Sequence, residues 1–478
     1  MLELPDKQDN PWTVLSIGNA WKSLPSMLWS AQEPEFSPVE ELIDISPMAL
    51  RLLQLDVQQL RTHVEGVSTL KGLHSGSILL PGMSPLAQKY AGHRHGIFND
   101  RIGDGRSLLL GEVATPLGRM EMYLKGGGRT PYALRGDGYL GLRSAIKEYL
   151  VSHALYGIGI PTSLPLSLCN HKRKIFRNQL EKSATVIRLS PSHARVGHLE
   201  WLAARGNAAG MKALITHLGG CYGEGGEMSV EQFFKHSVQR TAHLAAAWQV
   251  WGFVAGTLNT DDISALGVTL DPGAGAFLES CQASLKENCD AVDSVYAFSS
   301  QSESIRFGLE VLGRALRLLL HEEQINTILE SFDDQREKAM LCGMRSRLGL
   351  MMSREEDSAL INQWLSILHR KGADYNSSFR YLMEWKNDES SDHYLADKLG
   401  LDRNDRILTE WLNAYRKRLE NECFTYRERY RFMAGVNPVI MLREADICDV
   451  SAAVEAGDFI PLARLRKRIT QPYHNFLQ

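Results

Sequence analysis

Three glycine-rich turns follow one another between residues 103 and 138: GDGR at Gly103–Arg106, KGGGRTP at Lys125–Pro131 and GDG at Gly136–Gly138. Glycine lets a backbone approach a ligand closely and aim successive N–H groups at anionic oxygens. Arg106, Lys125 and Arg129 put cations beside these turns, a set suited to phosphate; three ordinary hairpin turns would read the same way. No GxxxxGK[ST] loop is present and no GxGxxG opens a helix after a strand, which argues against P-loop and Rossmann sites. The run LNTDDISALGVTLDPG (258–273) carries Asn259, Asp261 and Asp262, then Asp271 after a short apolar stretch. Hard divalent cations such as Mg²⁺ take a few carboxylate oxygens together with phosphate oxygens, so Asp262 and Asp271 form a candidate clamp. An Asx turn and a strand-end turn would use the same residues. Arg188 and Arg195 in RLSPSHAR are able to grip phosphate bidentately, or to sit on the surface. His93 and His95 in GHRHG share a strand face at i,i+2 but have no evident third ligand, so a structural or substrate-lining role is expected.

These groups act only if the chain holds them together. Lys125 ends an expected strand, Met120–Lys125, on which Met120, Met122 and Leu124 face one way and Glu121, Tyr123 and Lys125 the other. Leu142 to Tyr156 has Leu142, Ile146 and Leu150 at helical spacing, and its Glu148 shares a face with Ser144, Ala145 and Ser152. Those small neighbours leave room for a lysine. A strand Lys paired to a helix Glu holds the lysine against nucleotide phosphates in kinase-like folds; a solvated helix charge is the alternative for Glu148. Further strands are expected at Ser107–Leu110 and Ala184–Leu189, and a strand-like interruption at Ile263–Leu270. Residues 1–75 mix aromatic and proline turns with one helical stretch, Met48–Val57. Beyond 228 the chain turns helical: Val230, Phe233, Phe234, Val238, Ala242, Ala245 and Trp248 form an apolar stripe ending at Gly252. Amphipathic helices run from about Ile305 onward, with turns such as GVNP at 435–438. The pattern predicts an α+β, two-lobed fold with a strand-rich N-lobe, a large helical C-lobe and a ligand cleft between them. The expected divisions are an extension over 1–75 packing on the lobes, an N-lobe with the nucleotide loops over 76–190, and a C-lobe with the metal site over 191–478.

Composition narrows the partners. Of 478 residues, 44% are hydrophobic and 23% charged, which excludes disordered and fibrous classes. Lys+Arg 53 against Asp+Glu 56 gives a net charge of −3, so no global field draws the chain to nucleic acid or to an anionic membrane. The seven cysteines form no CxxC pair and no zinc spacing, and free thiols in a reducing compartment are expected. Cys281 and Cys289 are the closest pair that would serve as a redox couple. No basic-then-apolar leader opens the sequence, and no apolar run approaches the ~20 residues that span a bilayer. A cytoplasmic protein is expected.

Taken together, LLPGMSPLAQKYAGHRHG (79–96), IGDGR, LKGGGRTPYALRGDG, LRSAIKEYL, RLSPSHARVGHLE and NTDDISALGVTLD resemble, in order and spacing, the selenoprotein O family. The resemblance extends more weakly to NPVIMLRE (437–444) and covers most of the chain. It implies a protein-kinase-like fold and a protein adenylyltransferase that binds ATP inverted relative to ordinary kinases. AMP would then pass to Ser, Thr or Tyr hydroxyls of protein substrates, with Mg²⁺ or Mn²⁺. Gly103, Gly105, Arg106, Lys125, Asp137, Gly138, Arg188 and Arg195 match the family's nucleotide-holding positions, and Glu148 matches the partner of the lysine. Asp261 matches the proton acceptor, and Asp262 and Asp271 the metal ligands. The chain departs from the family in several places. Asp262 stands where Asn is usual, Ala255–Gly256 replaces a His–Gly step, GHRHG replaces a GHQFG-like motif, and LDPGAGAFLES replaces a more aromatic run. No cysteine follows Cys448, so the C-terminal redox control found in many members is not expected here. A nucleotide-binding pseudoenzyme acting as a regulatory partner is the alternative function, and a γ-phosphate-transferring kinase a more distant one.

Overall fold

The computed structural model describes residues 10–94, 96–222, 228–281 and 296–474. His95 and Cys289 lie outside the described residues. The N-terminal half is built on an antiparallel sheet. Among the described residues, seven of its nine strands form a continuous path: β1 (Trp29–Ala31), β2 (Val39–Ile45), β3 (Leu86–Gln88), β4 (Ser107–Thr115), β5 (Gly118–Lys125), β6 (Leu164–Phe176) and β7 (Leu180–Ser190), with the short strands Ile17–Gly18 on β4 and Leu140–Gly141 on β7 off it. The seven lie in the order β1-β3-β4-β5-β7-β6-β2. Helix α1 (Leu142–Gly157) packs on this sheet, and the chain then passes through α2 (Val196–Ala203) and the long α3 (Val230–Trp251) into a helical region. The last two helices are α4 (Glu444–Glu455) and α5 (Ile460–Thr470). This is an α+β fold with a strand-rich N-terminal lobe and a large helical C-terminal lobe. Among the described residues, no helix is long and apolar enough to cross a membrane.

Period-two alternation on β5 sorts its side chains as expected. Met120, Met122 and Leu124 enter a dry core with Leu110, Ile187, Leu189, Leu70 and Leu73. Glu121, Tyr123 and Lys125 take the opposite face. Register then brings the cations together: Tyr123 pairs with Arg188, and Lys125 with Val186. Helix α1 buries Leu142, Ala145, Ile146, Tyr149 and Leu150 in the main core, leaving Glu148 directed at the lysine side of the sheet. The apolar stripe on α3 stops at Gly252, whose left-handed φ of 66° closes the helix.

Several boundaries differ from the sequence expectation. The stretch Met48–Val57 divides into helices Pro47–Leu52 and Val57–Thr62, separated at Gln54, which adopts a φ of 58°. Ile263–Leu270 is not a strand. Its backbone makes two isolated bridges to different segments, one with residues 194–196 (Val196 N to Ile263 O, Ala265 N to Ala194 O) and one with 161–163 (Thr269 N to Pro161 O, Ser163 N to Thr269 O), so no continuous ladder forms. Asp271 accordingly does not end a strand but precedes the short turn Pro272–Ala274. Strands β2 and β6 were not expected; β2 carries charged residues, and the pairing half of β6 is interrupted by Pro165 and Asn170 at register shifts. Cys169, Cys221, Cys281, Cys342, Cys423 and Cys448 are free thiols.

Buried imidazoles tie the layers together. His153 on α1 donates from Nδ1 to Tyr149 O (2.7 Å) and accepts at Nε2 from the Ser46 hydroxyl (2.9 Å). Burial, reinforced by the Arg466 charge, pushes its pKa down to about 3. Below about pH 6.5 the unfolded chain takes up a proton that the folded imidazole refuses until about pH 3. Stability therefore falls as pH drops through that window, by up to about 1.4 kcal/mol per pH unit for this histidine. Urea unfolding at pH 7.5, 6 and 5 should show this loss, and His153→Gln should flatten the slope by about one proton while lowering stability at pH 7.5.

Candidate active site

A cleft of about 740 Å³ opens between the sheet and the helical lobe, within the size range of ligand sites. At its floor lies a cluster of five charged side chains. Lys125 Nζ donates to Glu148 Oε2 at 2.6 Å and to Asp271 Oδ1 at 2.6 Å. Arg188 Nη1 donates to Glu148 Oε1 (3.0 Å), Asp271 Oδ1 (2.8 Å) and Leu270 O (2.7 Å). Arg195 Nη2 donates to Asp271 Oδ2 at 2.7 Å, and its Nη1 to Asp261 O at 2.6 Å. The strand lysine and the helix glutamate thus meet directly, both almost wholly buried.

The charges do not cancel. Lys125, Arg188 and Arg195 against Glu148 and Asp271 leave 3 − 2, one net positive charge. Arg188 is only 1% exposed, and its Nε and Nη2, like Arg195 Nε, find no hydrogen-bond partner among the described residues. A cationic cluster with buried unsatisfied donors favours an anion. Burial opposes ionisation of Asp271, but Arg188, Lys125 and Arg195 outweigh it and hold this carboxyl well below the usual range.

Asp261 and Asp262 stand in the same cleft wall. Asp262 Oδ2 accepts from Asn259 N at 3.1 Å while Asp262 N donates to Asn259 O at 2.8 Å, a reciprocal pair that fixes the turn. Burial first, then the neighbouring Asp261 charge, pushes Asp262 up to about 7. Among the described residues, no group of three or more His, Cys, Asp or Glu is arranged to hold a metal ion alone. Two hard carboxylates facing a cleft fit a divalent cation only where phosphate oxygens complete its shell, as is usual for Mg²⁺.

The glycine loops divide into wall and support. Gly105 and Arg106 line the cleft, whereas Gly103, Asp137, Gly138 and Arg188 stand beside or behind it. A Cβ on Gly103 would meet Gln88 O at 2.7 Å, so this glycine serves close packing. Gly138, at φ +79°, lies against Gly128 and Arg129, locking the GDG turn onto the KGGGR turn. Asp137 is bound through both oxygens by Arg177 at 2.8 Å. Arg129 turns outward and donates to Leu134 O.

Sequence reasoning passed over two cleft residues. Asp104, between Gly103 and Gly105, is buried and accepts from Gln88 N (3.1 Å), Tyr90 Oη (3.3 Å) and Tyr123 Oη (3.4 Å). Burial pushes it up to about 6. Tyr90 lies under the Arg195 guanidinium, 5.3 Å from its ring centre. The acid stands in GDGR between the two glycines. His93, expected to be structural or substrate-lining, pairs through Nδ1 with the buried Glu200.

Comparison with known proteins places this cleft in context. The family model described as protein adenylyltransferase SelO matches residues 12–470. The chain belongs to the SelO family. It is 38% identical over 464 residues to the protein nucleotidyltransferase YdiU of Chromohalobacter salexigens, covering 96% of this chain and 92% of the relative. The YdiU protein of Aeromonas salmonicida is 39% identical over 395 residues, 82% of each chain, and that of Myxococcus xanthus 33% over 464 residues, 96% and 93%. The SelO family resemblance read from six motifs therefore extends across nearly the whole chain, and the protein is an enzyme of the nucleotidyltransferase class.

In this SelO-family cleft Asp271 is the shared acceptor of three cations. Asp271→Ala should leave them with one carboxylate and destabilise the fold by about 3 kcal/mol, the low end for breaking a buried pair because Asp271 keeps 27% of its side chain exposed. Asp271→Asn, which retains a carbonyl oxygen, should lose less. Urea midpoints of the two variants and the parent chain measure the difference.

Proposed function

We propose that this chain transfers AMP from ATP to Ser, Thr or Tyr hydroxyls of protein substrates, with the triphosphate inverted so that its α-phosphate faces the acceptor. The observation that carries this reading is the net positive cluster of Lys125, Arg188 and Arg195 beside the aspartate pair. Anionic phosphate oxygens compete with Asp271 for the three cations, and each cation they draw away frees a carboxylate oxygen. Gly105 and Arg106 cover the nucleotide from the sheet side, with Gly103, Asp137 and Gly138 supporting that loop shape. Glu148 keeps Lys125 aimed at the cleft. Asp262 and Asp271 would hold a Mg²⁺ or Mn²⁺ ion, which supplies neutralisation of phosphate charge when bound.

In the transfer, the acceptor hydroxyl oxygen forms a bond to the α-phosphorus while the bridging bond to the β-phosphate breaks. Pyrophosphate leaves, and the hydroxyl proton passes to the Asp261 carboxylate. Positioning and electrostatics supply most of the acceleration in such chemistry. Asp262 in place of the family's usual Asn keeps a hard oxygen ligand and adds negative charge, so metal binding is retained. A second reading, a nucleotide-binding partner that performs no transfer, is favoured by one observation: Asp271 has both oxygens engaged by cations.

Incubation with α-labelled and, separately, γ-labelled ATP tests these readings. Protein-bound label from the α position alone is expected. Label from γ alone means kinase activity, and bound ATP with neither label retained leaves the non-transferring partner. Asp262→Asn should keep transfer, whereas Asp262→Ala and Asp261→Asn should lower it by at least about 100-fold. Arg195→Ala removes a charge-assisted contact of roughly 1.5–3 kcal/mol, so ATP affinity should fall about 10- to 150-fold in calorimetric titration, and AMP affinity much less.

A further inference from the structure

We infer that Gly92 is a positioning residue for the Asp261 carboxylate, an inference that rests on reading Asp261 as the proton acceptor. Gly92 begins the short strand Gly92–Arg94, paired antiparallel with Ile97–Asn99. A Cβ at this position would stand 2.6 Å from Asp261 Oδ1, 2.9 Å from its Cβ and 3.0 Å from its Cγ. All three contacts are at or inside the closest approach that side chains tolerate. Gly92 is not among the glycines with positive φ, so its backbone conformation is open to other residues. What the missing side chain serves is the nearness of Asp261.

The surrounding contacts give the aspartate no room to retreat. His93 N donates to Thr260 Oγ1 at 2.6 Å, and Gly197 N to Thr260 O at 3.2 Å, holding the residue before Asp261 from two sides. Arg195 Nη1 holds the Asp261 carbonyl oxygen. Ala91 N, on the other flank of Gly92, donates to Gly197 O at 3.0 Å. His93 is anchored in turn by Glu200. Both backbones are therefore fixed, and the backbone of Gly92 forms a wall against which the carboxylate rests. A methyl group on that wall would overlap Asp261 Cβ as well as its carboxylate, so Asp261 yields by a small shift of its Cβ together with rotation of the carboxylate away from its place. Lys125 and Arg188 do not touch Asp261 in this contact, and Arg195 meets it only at its carbonyl oxygen, away from Gly92, so the effect falls on transfer more than on nucleotide binding.

The test is the AMP-transfer rate of Gly92→Ala, alone and combined with Asp261→Asn. A displacement on the order of 1 Å costs about 100-fold, so kcat should fall roughly 10- to 100-fold while the KM for ATP and the melting temperature stay near those of the parent chain. In the Asp261→Asn background, Gly92→Ala should cause no further loss, since the group it displaces is no longer a base. Unchanged kcat in Gly92→Ala, a matching loss of ATP affinity or melting temperature, or a further loss in the Asp261→Asn background overturns the positioning role. Should Asp261→Asn itself keep the parent rate, the reading of Asp261 falls, separately from the contact with Gly92. If Gly92→Ala does not fold, Thr260→Val and Thr260→Ser probe the same support. Valine removes the hydroxyl that receives His93 N and should lower kcat, and serine should restore it; equal rates for both variants overturn the inference.

Discussion

The convergence of Lys125, Arg188 and Arg195 on Asp271, with Glu148 behind them, is the constraint around which this molecule is organised. Ions taken out of water cost several kcal/mol each unless partners with good geometry replace the lost hydration. No single element carries enough partners to satisfy these five. The lysine comes from β5, one arginine from β7, the glutamate from α1, and Arg195 and Asp271 from the connections beyond the sheet. Stable burial of the cluster therefore requires all of these elements in their native places at once. Cluster and cleft form together, or neither forms.

One positive charge in excess changes what the cluster is for. A balanced network would serve stability alone, and apolar residues of similar size would serve it as well or better. Lys125 and Arg195 line the cleft already held in place by Glu148 and Asp271, so under the proposed reading their donors need not be assembled when a ligand arrives. The aspartate pair is electrostatically opposite. Asp262, pushed up to about 7 by burial and by Asp261, holds its negative charge reluctantly near neutral pH. Positive floor and negative wall in one cleft match a ligand that brings both phosphate anions and a divalent cation. That pairing is what links this site to nucleotide chemistry more firmly than the glycine turns do.

Much of this was legible in the sequence, for physical reasons that differ by residue. Alternation on Met120–Lys125 and helical spacing on Leu142–Tyr156 assign directions to Lys125 and Glu148 without knowledge of the fold, because both periods are local properties of the backbone. Asp262 and Asp271 are visible in the sequence as carboxylates on either side of an apolar run, and in the fold Asp262 Oδ2 reaches back to Asn259 N across the turn. Other features depend on contacts that no local pattern records. Ile263–Leu270 has the apolar composition of a strand but meets two different neighbours in succession, residues 194–196 and then 161–163, so its hydrogen bonds never form a continuous ladder. Strand β6 carries Pro165 and Asn170, which interrupt the pattern yet sit at register shifts that accommodate them. Gly92 and Asp104 matter through residues 169 and 19 positions away, Asp261 and Tyr123, and such distances are written only in the folded chain.

The two ends of the chain carry the same dependence outward. Glu148 can meet Lys125 only if α1 stays in place, and α1 is held from its far side by the C-terminal helices. Arg466 of α5 pairs with the buried Asp44 of β2, which also accepts from Tyr149 Oη of α1 at 3.2 Å. A Cβ on Gly157 would lie 2.2 Å from Ile469 O, so the end of α1 and the end of α5 touch backbone to backbone. Near the other end of α1, Arg143 and Lys147 both reach Glu444, the first residue of α4, at 3.3 and 3.2 Å. The ion pair at the floor of the cleft is thus braced by an N-terminal strand and by the last two helices. A sequence truncated to the loops alone would leave α1 unsupported on both sides. The family match that runs from residue 12 to residue 470 spans what this architecture needs to hold one lysine against one glutamate.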